Sequence, residues 1–213
     1  MPDFLTFPVL LREFITLFVV IDPIGTLPVF YYATQSVPER LHTRIALRAV
    51  LVAALVLFGF LLLGQFLLET LGLRLGAFQV AGGIVLMLFA LTMIFGSPKS
   101  SQEIAEAESD HMTGAVFPLA MPSIASPGAM LAVVVLTDNH SNTIAEQSVT
   151  GAMLLLVMLI TLGLLLLAPR LKRVIGATGA NVISRIMGII LATIAVDAMV
   201  GGLEMMGAMS LDG

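Results

Sequence analysis

Long apolar runs separated by short polar segments set the pattern of this chain. Six runs stand out, at roughly Phe14–Thr34, Ala49–Leu68, Ala77–Gly96, Gly114–Leu136, Val149–Ala168 and Val182–Leu203. A helix rising 1.5 Å per residue needs about 20 apolar residues to cross a bilayer core, and each run is about that long. The pattern predicts an all-α membrane protein with six transmembrane helices. The longest polar segment, Ser97–Thr113, carries Glu103, Glu106, Glu108 and Asp110. It divides the chain into a first part at 1–96, a connecting loop at 97–113 and a second part at 114–213, all within one membrane domain.

The two parts match each other. At an offset of 104, Pro23 falls on Pro127, Leu27 on Leu131, Val29 on Val133 and Gly59 on Gly163. At an offset of 105, Gly83 falls on Gly188, Leu86 on Leu191, Ala90 on Ala195 and Gly96 on Gly201. Leucine matches come cheaply in so apolar a chain; glycine and proline matches do not. Three helices is an odd number, so the second copy enters the membrane from the opposite side. The expected architecture is two inverted-topology three-helix repeats, related by a pseudo-two-fold axis in the membrane plane.

Composition agrees with this reading. Of 213 residues, 58% are hydrophobic and 11% charged, against roughly 25% charged in a soluble domain. A water-facing surface cannot be built from that inventory, and nothing in it points to nucleic acid. No cysteine is present, which excludes disulfides and thiol chemistry. Lys and Arg orient the spans. Arg40, Arg44, Arg48, Lys99, Arg170, Lys172, Arg173 and Arg185 would share one side, and only Arg12 and Arg74 the other. The positive-inside bias then puts the connecting loop in the cytoplasm and both termini outside.

Chemistry is expected where the first and fourth spans are broken. The first break reads Ile21-Asp22-Pro23-Ile24-Gly25-Thr26, the second Ala125-Ser126-Pro127-Gly128-Ala129-Met130. Proline removes a backbone donor and clashes with the preceding turn. Asp and Ser cap helix N-termini, and proline suits the first helical position. Each break therefore reads as the start of a half-helix whose free N–H groups suit a carboxylate, with Gly25, Gly128 and Ala129 leaving room for a ligand. An ordinary proline kink explains one such break; two at matching positions point to a transporter's substrate site. An aspartate at mid-depth costs roughly 2.5–3.5 kcal/mol on insertion scales, so Asp22 is read as a local cap, a partner for a substrate amine or ion, or both. Asp197, in the last span, is a candidate ion site or a residue facing water near the outer surface. Pro118 and Pro122 imply either an irregular stretch over Phe117–Gly128 or a bent helix. His42, His111 and His140 fall in separate loops, so no metal site or other cofactor is expected.

The stretches Phe18–Phe30 and Phe117–Ala129 resemble the MarC family, which includes small neutral amino acid transporters of the SnatA type. The resemblance extends over essentially the whole chain. It departs from the family's common pattern at Thr26 and at Ser126, both in the suspected site. It implies a multi-pass protein of a prokaryotic inner membrane that moves glycine, alanine and similar substrates, using a proton or sodium gradient, and that is not an enzyme. Asp22 to Thr26 and Ser126 to Met130 would bind substrate, with Asp22 and Asp197 as ion-coupling candidates. Two other readings remain: an intramembrane aspartyl protease built on Asp22 and Asp197, and a membrane scaffold that transports nothing.

Overall fold

The computed structural model describes residues 6–34, 37–95, 119–138 and 142–207. Among them every regular element is helical. The chain enters through α1 (Phe7–Ile21), breaks at Asp22 and continues as α2 (Pro23–Thr34). Next come α3 (Glu39–Thr70) and α4 (Leu75–Phe95). A π-type turn at Leu119–Ile124 leads into α5 (Pro127–Leu136), and α6 runs from Ile144 to Met205. Five stretches are long and apolar enough to cross a membrane: Phe7–Tyr31, Glu39–Thr70, Leu75–Phe95, Ile144–Ala168 and Arg185–Met205, with α5 as a shorter apolar helix. The connecting segment 97–113, Pro118, His111 and His140 lie outside the described residues.

Several element ends differ from the sequence pattern. Helix α1 begins at Phe7, well before Phe14, because Pro8 near its start suits the first turn. Helix α3 begins at Glu39, so His42 lies on a helix rather than in a loop. Arg40, Arg44 and Arg48 recur every four residues along it, all exposed, forming a polar extension that an apolar run does not reveal. Residues 169–181, a loop by the sequence pattern, are also helical. The start of α6 is sharply defined. Thr143 Oγ1 accepts from Glu146 N, and Glu146 Oε2 accepts from Thr143 N, the reciprocal pair of a capping box.

Helix α6 is not a straight rod. Thr150 Oγ1 donates to Glu13 Oε2 at 3.3 Å, and Arg12 pairs with Asp197 at 3.7 Å. Straight helix would carry Thr150 and Asp197 about 70 Å apart, yet both lie beside adjacent residues of α1. The element therefore folds back, and its stretches Ile144–Ala168 and Arg185–Met205 run antiparallel. The second stretch packs on α4 along a seam of small residues. A Cβ on Gly76 would meet Gly202 O at 2.6 Å, one on Gly83 would meet Ala195 O at 2.8 Å, and one on Gly188 would meet Ala90 O at 3.2 Å. Such spacing permits close backbone approach, the usual basis of helix association in lipid.

Burial ranks the spans. The first is 65% buried over its apolar window, the others 22–33%. The broken segment is thus the centre of the bundle. Leu55, Leu62, Phe66, Phe95 and Leu159 are exposed on its perimeter, as expected where lipid replaces water.

Candidate functional site at the two helix breaks

Pro23 has no amide hydrogen, so the ladder of α1 cannot pass through it. Asp22 takes up the reversal with φ 51° and ψ 63°, the only positive-φ residue other than glycine among those described. This left-handed conformation is tolerated best by glycine, asparagine and aspartate. Asp22 closes α1 by donating its N–H to Phe18 O at 3.0 Å. It also opens α2: its Oδ1 accepts from Gly25 N at 2.9 Å, and its carbonyl accepts from Thr26 Oγ1 at 3.0 Å. One residue thus ends one half-helix and caps the next. Asp22 is 2% exposed, and its Oδ2 has no hydrogen-bond partner among the described residues.

The second break is built differently. Met121, with φ −135° and ψ 128°, interrupts the turn before it. The stretch 119–126 is therefore irregular, not a uniformly bent helix. Ser126 is extended, and its Oγ accepts from Ala129 N at 3.1 Å, capping α5 with Pro127 in the first helical turn. The same hydroxyl donates to Val20 O at 3.3 Å. That contact crosses from one break to the other. It also satisfies a carbonyl at the end of α1 that has lost its helical donor.

The structure brings the breaks that carry Asp22–Thr26 and Ser126–Met130 into contact through Val20. Most of these residues are buried; Ile24 and Met130 are half-buried, and Pro127 is exposed. It does not bring Asp197 to them. Asp197 is exposed and pairs with Arg12, ten residues before Asp22 along α1 and about 15 Å away at helical rise. These two carboxylates do not form a proton-sharing dyad.

The small residues serve a purpose that spacing did not reveal. The space beside Gly25 is filled by the Asp22 carboxylate, and a Cβ there would collide with it. The space beside Gly128 is filled by the side chain of Leu86 on α4, with Val20 behind it. In this conformation the room attributed to a ligand is held by the protein's own side chains. Leu86 escaped notice because one leucine carries no signal among so many. Gln79 was also missed. It is 6% exposed inside α4, with its Oε1 unpartnered among the described residues, and a glutamine within an apolar run is a signal worth reading. Beyond the breaks, a cavity of about 200 Å³ lies at the far end of α2, lined by Phe30, Thr34, Glu39, His42 and Ala168 among others. Among the described residues no cluster of metal-ligating side chains is found.

A bundle of apolar helices around a broken, half-capped centre defines an integral, multi-pass membrane protein. Residues 7–207 match the MarC family integral membrane proteins, and the chain belongs to that family. It is 34% identical over 199 residues to the UPF0056 membrane protein MJ1677 of Methanocaldococcus jannaschii, covering 90% of this chain and 94% of the relative. It is 34% identical over 205 residues to the UPF0056 membrane protein YhcE of Escherichia coli K12, covering 94% of each. It is 30% identical over 191 residues to the UPF0056 inner membrane protein YhgN of the same strain, covering 90% of this chain and 94% of that one. No solved structure matches the chain.

Proposed function

We propose that this protein is a secondary transporter of small neutral amino acids such as glycine and alanine, working by alternating access and coupled to a proton or sodium gradient. One observation carries the reading: two broken helices meet inside the bundle beside a buried carboxylate oxygen that lacks a partner among the described residues. Unwound backbone within a membrane is tolerated where it is buried in protein or lines a cavity, and an intramembrane aspartate calls for a counterpart. A zwitterion supplies an ammonium for the freed carbonyls and Asp22, and a carboxylate for half-helix N–H groups. Asp22, Pro23, Ile24, Gly25, Thr26, Ser126, Pro127, Gly128, Ala129 and Met130 are the proposed contacts, with Asp22 also the ion-coupling candidate. The exposed ion pair of Asp197 with Arg12 makes Asp197 the weaker candidate.

The proposed architecture is six crossings in two inverted repeats. The α4–α6 seam supports it. The repeat relates Gly83 to Gly188 and Ala90 to Ala195. The contact of Gly83 with Ala195 and that of Gly188 with Ala90 are then one contact seen twice, as two-fold exchange demands. Both termini would face outward from a prokaryotic inner membrane. Cysteines introduced at Asp3 and Asp212 should then react with an impermeant reagent on intact cells; labelling only after the membrane is broken would reverse the orientation.

The functional test is uptake of a panel of labelled amino acids by the purified protein in liposomes, with and without proton or sodium gradients. Gradient-driven uptake of glycine and alanine is expected. Absence of uptake for every member of the panel, under either gradient, would refute the reading.

A further inference from the structure

The two half-helix N-termini are not equally available. At α2 the Asp22 side chain already accepts from Gly25 N, and the Asp22 carbonyl accepts from Thr26 N at 3.2 Å. The carboxylate covers Gly25 so closely that not even a Cβ fits. A second anion has no place there, and the first would repel it. At α5 the cap is a neutral hydroxyl. Ala129 N donates to Ser126 Oγ and Met130 N to Ser126 O. Pro127 has no N–H to offer, and among the described residues no acceptor is found for Gly128 N or for its counterpart Ile24 N at α2, so the two ends differ in the charge of the cap. Among the described residues the positive end of α5 therefore lacks a neutralising anion, while Asp22 Oδ2, nearly fully buried, lacks a donor. Leu86, 1% exposed, reaches across from α4 and seats its Cδ2 over Gly128.

We propose that Leu86 is the residue that limits side-chain size, and that an amino acid binds in one direction, ammonium toward Asp22 Oδ2 and carboxylate toward the N-terminus of α5. This deepens the transport reading and rests on it. Gly128 is the point where the ligand must approach the α5 backbone. Whatever lies over it sets the space left for the ligand, and in this conformation that is a leucine δ-methyl. Withdrawal of Leu86 would open the position, and the volume of its side chain would decide what else fits.

The test measures competitive uptake of glycine, alanine and leucine in liposomes by the wild type, Leu86→Ala, Leu86→Phe and the double variant Leu86→Ala/Gly128→Ala. Leu88→Ala, on the exposed side of the same helix, serves as control. One methylene in an apolar pocket is worth roughly ten- to 200-fold in discrimination. Leu86→Ala should therefore raise leucine uptake relative to glycine by about tenfold or more. Leu86→Phe should lower alanine relative to glycine, and it provides an independent reading if the alanine variant folds poorly. The added methyl at position 128 should return the double variant toward wild-type selectivity, an effect that general loosening of the helix would not produce. Wild-type uptake with unchanged selectivity in both single variants would overturn this proposal alone. Absence of any amino acid uptake by the wild type would overturn the transport reading and this proposal with it.

Discussion

Asp22 does three things at one position: it reverses the chain, caps α2 and leaves one carboxylate oxygen without a partner among the described residues. The left-handed backbone costs an ordinary L-residue about 1–2 kcal/mol, and the Asp22 side chain offsets part of that through its bond to Gly25 N. Gly25 is therefore glycine for the sake of Asp22. Gly25→Ala should push the carboxylate off the helix end and lower stability by about 1–3 kcal/mol, the usual range for a methyl forced into filled space. Asp22→Gly tolerates the same backbone and removes the obstruction, so the double variant should melt above Gly25→Ala alone. Thermal unfolding in detergent measures both. A Gly25→Ala protein as stable as wild type would show that the carboxylate is not held there. The proline and its cap were legible in the sequence because they act on neighbours along the chain. The occupants of the glycine spaces were legible only in part. The Asp22 carboxylate reaches Gly25 by a backbone twist that spacing does not encode, and Leu86 arrives from a different helix.

Among the elements, glycines fall into two kinds. Gly76, Gly83, Gly188 and Gly202 face backbone or side chain across the α4–α6 seam, whereas Gly59 and Gly163 have no neighbour among the described residues where a Cβ would stand. Gly76→Leu or Gly202→Leu should separate the two helices and destabilise the fold by about 2 kcal/mol or more. Gly59→Leu and Gly163→Leu should be neutral or gain up to about 1 kcal/mol from helix propensity. Denaturation in mixed micelles compares the four, and equal effects would contradict the seam. The sequence matched both kinds alike between the repeats, since it records that a residue is small without recording what it faces. Spans were legible because lipid demands long apolar runs. Helix ends were less so: α3 starts with an exposed arginine face, and the polar stretch within α6 is helical.

At the scale of the whole molecule, the breaks at Pro23 and Pro127 lie at the centre of the bundle and touch through Ser126 and Val20. The described spans carry their cations near their ends, so a bound carboxylate would be held by backbone donors and helix dipoles. If the breaks form a single site, a change at either one should abolish the same activity. Gly128→Leu fills the space beside α5 without adding charge. Asp22→Asn retains a capping side chain and a residue that tolerates the left-handed backbone, yet removes the negative charge. The most direct measurement is glycine and alanine binding and uptake by these two variants beside wild type and Met205→Leu, an exposed control, all at matched expression and folding. The account predicts that both site variants lose binding and uptake at least about tenfold, equivalent to about 1.4 kcal/mol, while Met205→Leu behaves as wild type. Normal transport by both Gly128→Leu and Asp22→Asn would contradict it.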